Sequence, residues 1–478
     1  MRSLVFASVL ALGVLLSFSP TRKLAAQVPV PSSAPPVVQV VPSPEQTQYG
    51  QFRRTLVGPG INQPKPYPGY KGFVGWSGVA RMRSGALLVT FSSGYWHASP
   101  PTGPTPLPAD FAELFKKLSG VDLSSINAPR GGRAEFMRSL DGGLTWSRPQ
   151  VMIDTPLDDR SPSPVQLPDG TLVASFFDYD GRSNSRTGII RSFDEGKTWE
   201  QTPRFLTTPF VGTATDGPPL VMPDKSLLLA VYGSRGKAKN EFSQFGVFES
   251  RDRGDTWRCI GTNKAAYDLD EPSIARLRDG RLIMIARPEG AVSWSSDGGH
   301  TWTEPVRLPF RMYDPWLLSL KNGTLLCVHG SYQKDKHGLR AILSPDGGKT
   351  WFAAGPDYGF SVDPSVYGYS RGVQMPDGSI YIVYLHKGGH KWDDARNESL
   401  FALRFRVLKG CRGIELLPAP GSPGAGRKNP GAASGEGGKA RKQFGGVIMT
   451  RGVNQISLPD ARALKDVALL SGTDLHLK

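Results

Sequence analysis

The stretch Ser139–Trp146, SLDGGLTW, is the first of five copies of the pattern SxDxGxTW, and this repeat decides the fold. The other four copies span Ser192–Trp199, Ser250–Trp257, Ser295–Trp302 and Ser344–Trp351. In each copy the Ser and Asp side chains can bond the backbone of a tight turn, the Gly accepts a positive φ, and the Trp offers an apolar face to a neighbouring sheet. We therefore interpret the five aspartates as braces of β-hairpin turns rather than as catalytic acids.

A second repeat alternates with this turn motif and reads as a strand, a two-residue turn and an apolar strand. Its six copies have, at the second turn position, Gly85, Gly170, Lys225, Gly280, Gly323 and Gly378. Units of roughly 40–50 residues that each supply four strands are typical of propeller blades. The sequence thus predicts an all-β fold, a six-bladed β-propeller of four-stranded antiparallel blades. A segment within residues 51–75 is expected to complete the last blade.

The two ends of the chain differ in composition from the repeats. Residues 1–26 read as a secretory signal, because Arg2 precedes an apolar run, and residues 27–48 read as a Pro-rich linker. Residues 411–478 are dominated by Gly, Pro, Ala and Lys and are expected to form a disordered tail. The propeller is assigned to residues 49–410. The signal predicts a protein that is secreted, periplasmic or at the cell surface, with no membrane span after cleavage.

The charge of the chain favours an acidic partner. The formal net charge is +15, but the basic residues are scattered and form no nucleic-acid-binding module, so nucleic acid is not expected as a partner. An anionic sugar of a glycan fits this charge better. The three cysteines and seven histidines show no metal-ligand spacing, so no metal and no cofactor is expected.

Propeller geometry predicts which distant residues meet. In every blade the first strand begins, and the second strand ends, at the same rim of the propeller. The second turn residue of each copy serves here as the turn marker, and the residues nine or ten positions before it therefore converge around the axis. In this sequence these are Gly75–Trp76, Arg160–Ser161, Thr215–Asp216, Asp270–Glu271, Tyr313–Asp314 and Gly368–Tyr369. Arg287 follows the fourth marker by seven residues. Such a polar cluster predicts a binding or catalytic site, and rim salt bridges are the purely structural alternative.

Two segments of this rim resemble the sialidase family, whose fold is a six-bladed propeller with such turn motifs, and the resemblance covers roughly residues 75–408. Asp270–Ile274, with Arg287 downstream, resembles the segment that supplies a glutamate beside the nucleophile and an arginine that binds the sugar carboxylate. Gly368–Ser370 resembles the segment with the nucleophilic tyrosine. The resemblance implies Tyr369 as nucleophile, Glu271 as its base and Arg287 in the carboxylate clamp. Tyrosine needs such a base because the pKa of a free phenol is about 10.

The chain also departs from the family pattern. The first clamp arginine is missing, because Gly75–Ser77 stands where its motif would lie. Arg160 and Arg340 are candidate substitutes, and Asp216 and Asp314 are further candidate substrate-binding residues. The acid/base aspartate is expected at Asp159, with Asp110 and Asp122 as alternatives.

These observations predict a glycoside hydrolase of the exo-α-sialidase type that cleaves a terminal acidic sugar from glycoconjugates. The alternative is an exported propeller that binds glycans or proteins without chemistry. Catalysis requires the side chains of Tyr369 and Glu271 to lie within hydrogen-bond reach on one rim with Arg287. Gly368–Gly372 also matches GxSxG, but a nucleophile elbow needs a strand-to-helix turn that an all-β repeat does not offer.

Overall fold

A computed structural model describes residues 35–41, 50–67, 70, 72–94, 113, 116–117, 131–179, 185–234, 241–331, 338–355, 359–366, 368–386 and 399–419. The predicted signal, most of residues 98–132, which include Asp110 and Asp122, and most of the predicted tail lie outside these residues. No helix in this part of the chain is long and apolar enough to cross a membrane.

The described residues fold into strands that belong to six sheets. In chain order the strands are β1 (Val37–Val40), β2 (Arg54–Val57), β3 (Phe73–Arg81), β4 (Leu87–Gly94), β5 (Arg133–Ser139), β6 (Gln150–Ile153), β7 (Asp158–Gln166), β8 (Leu172–Tyr179), β9 (Ser185–Ser192), β10 (Arg204–Phe205), β11 (Leu220–Val221), β12 (Leu227–Gly233), β13 (Gln244–Ser250), β14 (Arg258–Asn263), β15 (Asp270–Arg276), β16 (Leu282–Arg287), β17 (Ala291–Ser295), β18 (Val306–Arg307), β19 (Met312–Ser319), β20 (Leu325–Ser331), β21 (Leu339–Ser344), β22 (Thr350–Ala353), β23 (Phe360–Asp363), β24 (Gly368–Gln374), β25 (Ile380–Leu385), β26 (Leu400–Val407) and β27 (Ile414–Leu417).

The sheets are the six predicted blades. Strands β3 to β6, β7 to β10, β11 to β14 and β15 to β18 each form one antiparallel blade in sequence order, and β19 to β22 form the core of the fifth. The sixth blade consists of β24, β25 and β26, with β2 as its outer strand. This arrangement confirms the predicted six-bladed propeller.

The N-terminal strand β2 closes the ring. It pairs antiparallel with β26, with Arg54 opposite Ala402 and Thr55 opposite Phe401, so that the first and last parts of the propeller share one sheet. Leu56 and Val57 are fully buried in this closure. The expectation that a segment within residues 51–75 completes the last blade is confirmed.

Two strands lie beyond the predicted propeller bounds of 49 and 410. Strand β1, inside the predicted linker, pairs in parallel with β22 of the fifth blade. Strand β27, inside the predicted tail, pairs antiparallel with β26 of the sixth. Both are short apolar runs within Pro-rich or Gly-rich surroundings, and they extend existing sheet edges. The propeller therefore includes residues 37–40 and 414–417.

The turn motif acts as the sequence indicates. In the third copy, Asp252 Oδ1 accepts hydrogen bonds from the backbone N–H groups of Asp255 (3.1 Å) and Thr256 (2.9 Å) and from Ser250 Oγ (2.8 Å). Gly254 has a φ of 81°, which a residue with a side chain rarely adopts. These contacts confirm the aspartates as turn braces.

The hydrophobic core lies between neighbouring blades rather than at the axis. Trp351, from the fifth copy of the turn motif, is fully buried in a cluster that joins the fourth and fifth blades. Trp302 packs edge-on against Phe245 at 5.0 Å between ring centroids. The three cysteines form no disulfide with one another. Blade-to-blade packing leaves the axial end of the ring free for polar side chains.

Candidate active site

One backbone feature, a strand bulge, turns five side chains towards the axis. Five of the six innermost strands carry a bulge near their first residues, seen as a shift of register against the neighbouring strand. At the bulge a residue with a side chain takes a positive φ. These residues are Trp76 (45°), Ser161 (53°), Glu271 (45°), Asp314 (42°) and Tyr369 (53°). Each stands nine residues before its turn marker, and Asp216 holds the same position in the third blade.

These positions surround a small hollow on the axis. Its lining residues are Trp76, Ser77, Ser161, Ser163, Asp216, Asp314, Tyr369 and Arg371. Five of the eight occupy the equivalent position of five different blades, and the sixth such residue, Glu271, is hydrogen-bonded to two of them. Backbone strain of this kind is retained where the surrounding structure holds it and is concentrated at functional sites.

Tyr369 and Glu271 form the central pair of the site. Tyr369 Oη donates a hydrogen bond to Glu271 Oε1 at 3.0 Å. The other carboxylate oxygen, Oε2, lies in an ion pair 2.8 Å from the Nε of Arg287 and accepts the backbone N–H of Asp314 at 2.8 Å. Because Oε2 is engaged by these two donors, Oε1 faces Tyr369. The three residues lie together, as the catalytic interpretation requires.

Asp314 and Arg371 form a second buried pair beside the first. The guanidinium of Arg371 donates two hydrogen bonds to the carboxylate of Asp314, one from NH1 to Oδ2 and one from NH2 to Oδ1, both of 2.8 Å. Asp314 Oδ2 also accepts the backbone N–H of Ser370 at 3.0 Å. The Nε of Arg371 donates to the backbone carbonyl of Asp216. This network joins the third, fifth and sixth blades and fixes the backbone on both sides of Tyr369.

The side chain of Asp216 joins this network to the second blade. Its Oδ1 accepts the hydroxyl of Ser161 at 2.6 Å, and its Oδ2 accepts the hydroxyl of Tyr232 at 3.1 Å. Burial raises the pKa of Tyr232 well above its usual value, and the negative charge of Asp216 adds to this. Tyr232 therefore stays protonated and serves as a donor to the carboxylate.

Burial away from water is the largest influence on the pKa values of the two carboxyl groups Glu271 and Asp314. Burial raises the pKa of Glu271 to about 8, although Arg287 acts in the opposite direction. Burial raises the pKa of Asp314 to about 6, against the lowering effect of Arg371. A carboxyl group whose pKa lies near neutral pH can both accept and return a proton, which suits a base that serves Tyr369.

Three of the predicted residues lie away from the hollow. Arg160 is fully buried between the rings of Trp76 and Tyr179, 4.8 Å from each centroid, and its Nε donates to Asp158 at 2.7 Å. Arg340 is 1% exposed on β21, where its residue pairs with His329 of β20. Neither arginine lines the hollow.

The predicted acid/base Asp159 also points elsewhere. It is fully buried at the start of β7 and accepts the backbone N–H (2.7 Å) and the hydroxyl (2.8 Å) of Thr155. Burial raises its pKa well above the usual value. It does not line the hollow, and the alternatives Asp110 and Asp122 lie outside the described residues.

Sequence reasoning missed Arg371 and gave Trp76 no role. Arg371 stands two residues after Tyr369, and side chains two apart on a strand face the same side. Ser163 has the same relation to Ser161 and also lines the hollow. The position seven residues before the marker therefore also faces the hollow in the second and sixth blades. Among the described residues, no group of three or more His, Cys, Asp or Glu is placed to hold a metal ion.

Comparisons with known proteins agree with this architecture. The family model described as "BNR repeat-like domain" matches residues 133–382. A sialidase of Micromonospora viridifaciens is 26% identical over 311 residues, which are 55% of this chain and 46% of that protein. A sialidase of Bacteroides fragilis is 23% identical over 315 residues, which are 56% of each protein. The chain spans about half the length of these curated relatives.

A solved structure shows the same fold. The crystal structure of a protein of unknown function from Dyadobacter fermentans superposes with a TM-score of 0.55 and 17% sequence identity. The alignment covers 73% of this chain and 96% of that one. The family model spans more than half of the chain, and the repeats and six blades agree with it. The chain therefore belongs to the BNR repeat-like family, within the sialidase superfamily of six-bladed β-propellers.

Proposed function

We propose that the protein is a glycoside hydrolase that removes a terminal sugar from a glycoconjugate, with Tyr369 as the nucleophile and Glu271 as its base. The observation that carries the proposal is the 3.0 Å hydrogen bond from Tyr369 Oη to Glu271 Oε1 at the wall of the axial hollow. The two sialidases to which the chain is similar add support for glycosidase chemistry.

The pair supplies the two halves of a retaining mechanism. In the first half, Tyr369 Oη bonds to the anomeric carbon while Glu271 takes its proton, the glycosidic C–O bond breaks, and a carboxylic acid protonates the leaving oxygen. In the second half, a water gives a proton to that carboxylate and attacks the anomeric carbon. The bond to Tyr369 breaks, and Glu271 returns the proton to the phenolic oxygen. The net reaction consumes one water and regenerates both residues.

The surroundings of Glu271 prepare it for this exchange. The ion pair with Arg287 and the hydrogen bond from the backbone N–H of Asp314 both hold Oε2, so the side chain cannot rotate away from Tyr369 without losing both interactions. A fixed donor and acceptor lower the barrier because no reorganisation is needed at the moment of transfer.

Two parts of the function remain proposals that rest on the sequence. The acid that protonates the leaving group is expected to be Asp110, Asp122 or Asp159, and of these Asp159 accepts the backbone N–H and the hydroxyl of Thr155. Export is proposed from the apolar run after Arg2.

The acidic sugar predicted from net charge requires guanidinium groups that are available to a ligand. The described arginines of the site, Arg287 and Arg371, are each already bonded to a carboxylate.

Turnover of a panel of fluorogenic glycosides tests the proposal. We expect Tyr369→Phe to lower kcat about 10³-fold or more, because the nucleophilic oxygen is lost. Tyr384→Phe is the matched control: Tyr384 lies in the same blade, and its hydroxyl donates to Asp363 at 2.9 Å, away from the hollow. Equal turnover by native protein and Tyr369→Phe would refute the nucleophile. Binding of glycans without any turnover would favour the alternative, a non-catalytic binding propeller.

A further inference from the structure

The ring of Tyr313 lies in a slot that two glycines leave open beside the axial pair. Tyr313 stands ten residues before its turn marker and is 6% exposed. A Cβ built on Gly330 would lie 2.0 Å from Cε2 of this ring, and a Cβ built on Gly368 would lie 2.8 Å from the same atom. Carbon atoms in contact lie about 3.5–4.0 Å apart, so neither position has room for a side chain. The ring can occupy this place only because both residues are glycines.

Gly330 is particular to the fifth blade. It stands seven residues after its turn marker and pairs with Tyr313 across strands β19 and β20. The equivalent position in every other blade carries a side chain, from Ser92, Phe177, Tyr232, Arg287 and Leu385. The fifth blade alone therefore has, at this position of the rim, room for an aromatic ring in place of a side chain.

This ring packs on both the side chain and the backbone of the proposed nucleophile. The ring centroids of Tyr313 and Tyr369 lie 6.0 Å apart with their planes inclined at 38°, within the range in which aromatic rings attract each other. The edge of the Tyr313 ring also lies against Gly368, which precedes Tyr369. Tyr369 has a φ of 53°, and such a conformation persists only where the surroundings hold it. Tyr313 supplies part of that support.

The residue that follows Tyr313 holds the base. The backbone N–H of Asp314 donates to Glu271 Oε2 at 2.8 Å, and its carboxylate accepts the backbone N–H of Ser370 at 3.0 Å. Two consecutive residues of the fifth blade thus contact both members of the axial pair. Their placement matters for a reaction, because a misplacement of about 1 Å can cost a rate of about 10²-fold.

We propose that Tyr313 is a positioning residue: its ring, seated over Gly330, sets the distance from Tyr369 Oη to Glu271 Oε1. The inference rests on the proposed function, since it concerns the same pair. Tyr313 is not among the residues that line the hollow, so it acts through Tyr369 rather than on the sugar. Loss of its ring should therefore lower kcat and leave KM nearly unchanged.

Steady-state kinetics on the glycoside that turns over fastest measure this difference between kcat and KM. We expect Tyr313→Leu to lower kcat about tenfold or more, with KM within about threefold of the native value. Tyr313→Phe keeps the ring and should retain at least about a third of the native kcat. Gly330→Ala leaves Tyr313 in the chain but displaces its ring by about 1.5 Å or more. It should therefore lower kcat as much as Tyr313→Leu.

Gly188→Ala is the matched control for steric conflict beneath a ring. Gly188 pairs with Phe176 across strands β8 and β9, and a Cβ built on it would lie 2.7 Å from that ring. Neither residue lines the axial hollow, so kcat should stay within about threefold of the native value. A loss of kcat in Gly188→Ala as large as that in Gly330→Ala would overturn the inference. Native kcat in Tyr313→Leu would overturn it as well.

NMR of the resting protein tests the inference without turnover. With ¹³C at Cζ of every tyrosine, the signal of Tyr369 is identified by its loss in Tyr369→Phe. Glu271→Gln should move this signal, and it should move the signal less than half as far when combined with Tyr313→Leu. Gly330→Ala provides the same comparison if Tyr313→Leu does not fold.

The NMR outcomes separate this inference from the proposed function. An equal shift with and without the Tyr313 ring, or no shift on Glu271→Gln alone, overturns the positioning role, while turnover by the native protein still upholds the hydrolase. A reduced shift in a protein that turns over no glycoside upholds the positioning role and refutes the hydrolase.

Discussion

Replacing Asp314 with Asn tests the buried ion pair that holds the site together. The carboxylate of Asp314 is fully buried and accepts two bonds of 2.8 Å from Arg371, whose side chain is 8% exposed. Asn keeps the shape of the side chain, but it removes the negative charge and turns one acceptor into a donor that faces the guanidinium. Arg371 would then be buried without its main counter-charge.

The expected cost follows from this geometry. Removing one partner of a buried ion pair costs about 3–5 kcal/mol. Asp216 and Glu271 also act on the charge of Arg371, so part of the lost attraction is replaced. We therefore expect Asp314→Asn to lower the free energy of unfolding by about 3 kcal/mol, at the lower end of that range. The double variant Asp314→Asn/Arg371→Gln should recover part of this loss, because neither of the two positions then holds a charge.

Urea denaturation followed by tryptophan fluorescence measures these costs. Asp255→Asn is the control: Asp255 is 48% exposed and pairs with Arg204 at 2.8 Å and Arg191 at 2.9 Å. Such an exposed pair is worth about 0–1 kcal/mol. If Asp314→Asn costs no more than this control, or if the double variant is less stable than the single one, the account of a buried, charge-compensated network is wrong.

Three further predictions concern the base, the turn motif and the ring closure. Because burial raises the pKa of Glu271 to about 8 and the base acts in its ionised form, kcat/KM should rise with pH between 6 and 8, and a fall over that range would contradict the assignment. Partial burial acts upwards on the pKa of Asp252, but the bonds from Thr256 and Ser250 outweigh it and lower that pKa to about 2. Asp252→Ala should therefore cost about 1 kcal/mol at pH 7 and less at pH 2 in urea titrations, with unchanged activity; an equal cost at both pH values would contradict the bracing role. A chain that begins at residue 66 lacks β2 and its two buried side chains, Leu56 and Val57. Its free energy of unfolding should be lower by at least about 3 kcal/mol than that of a chain that begins at residue 50. Equal urea midpoints of the two chains would contradict ring closure by β2.

The fold and the central pair could be predicted because both depend on local turn chemistry. A two-residue hairpin turn sets the register of the strands beside it, so counting from Gly280 and Gly378 locates Glu271 and Tyr369 at equivalent points of two blades. Arg287 follows from the same register, since its residue pairs with Asp270 across the sheet. Residues 98 apart in the sequence were thus placed in one site before any contact was known.

The direction in which individual side chains point could not be predicted as well, because no sequence pattern marks the strand bulges. Positions nine and ten before the marker were treated as equivalent, but the residues that line the hollow include five at position nine and none at position ten. Arg160, at position ten, is turned into the blade, and Asp159, one residue earlier, bonds Thr155. Strands β1 and β27 were missed because four residues, three of them apolar, within biased composition carry no periodic signal.

The covalent state of Tyr369 during turnover tests the central claim most directly. The protein is quenched in the steady state with the glycoside that it hydrolyses, digested, and analysed by mass spectrometry of the peptide that contains Tyr369. We expect that peptide to gain the mass of one glycosyl residue, and the gain to be absent in Tyr369→Phe. Turnover with no adduct on Tyr369, or with the adduct on another residue, would contradict the proposed role of the axial pair.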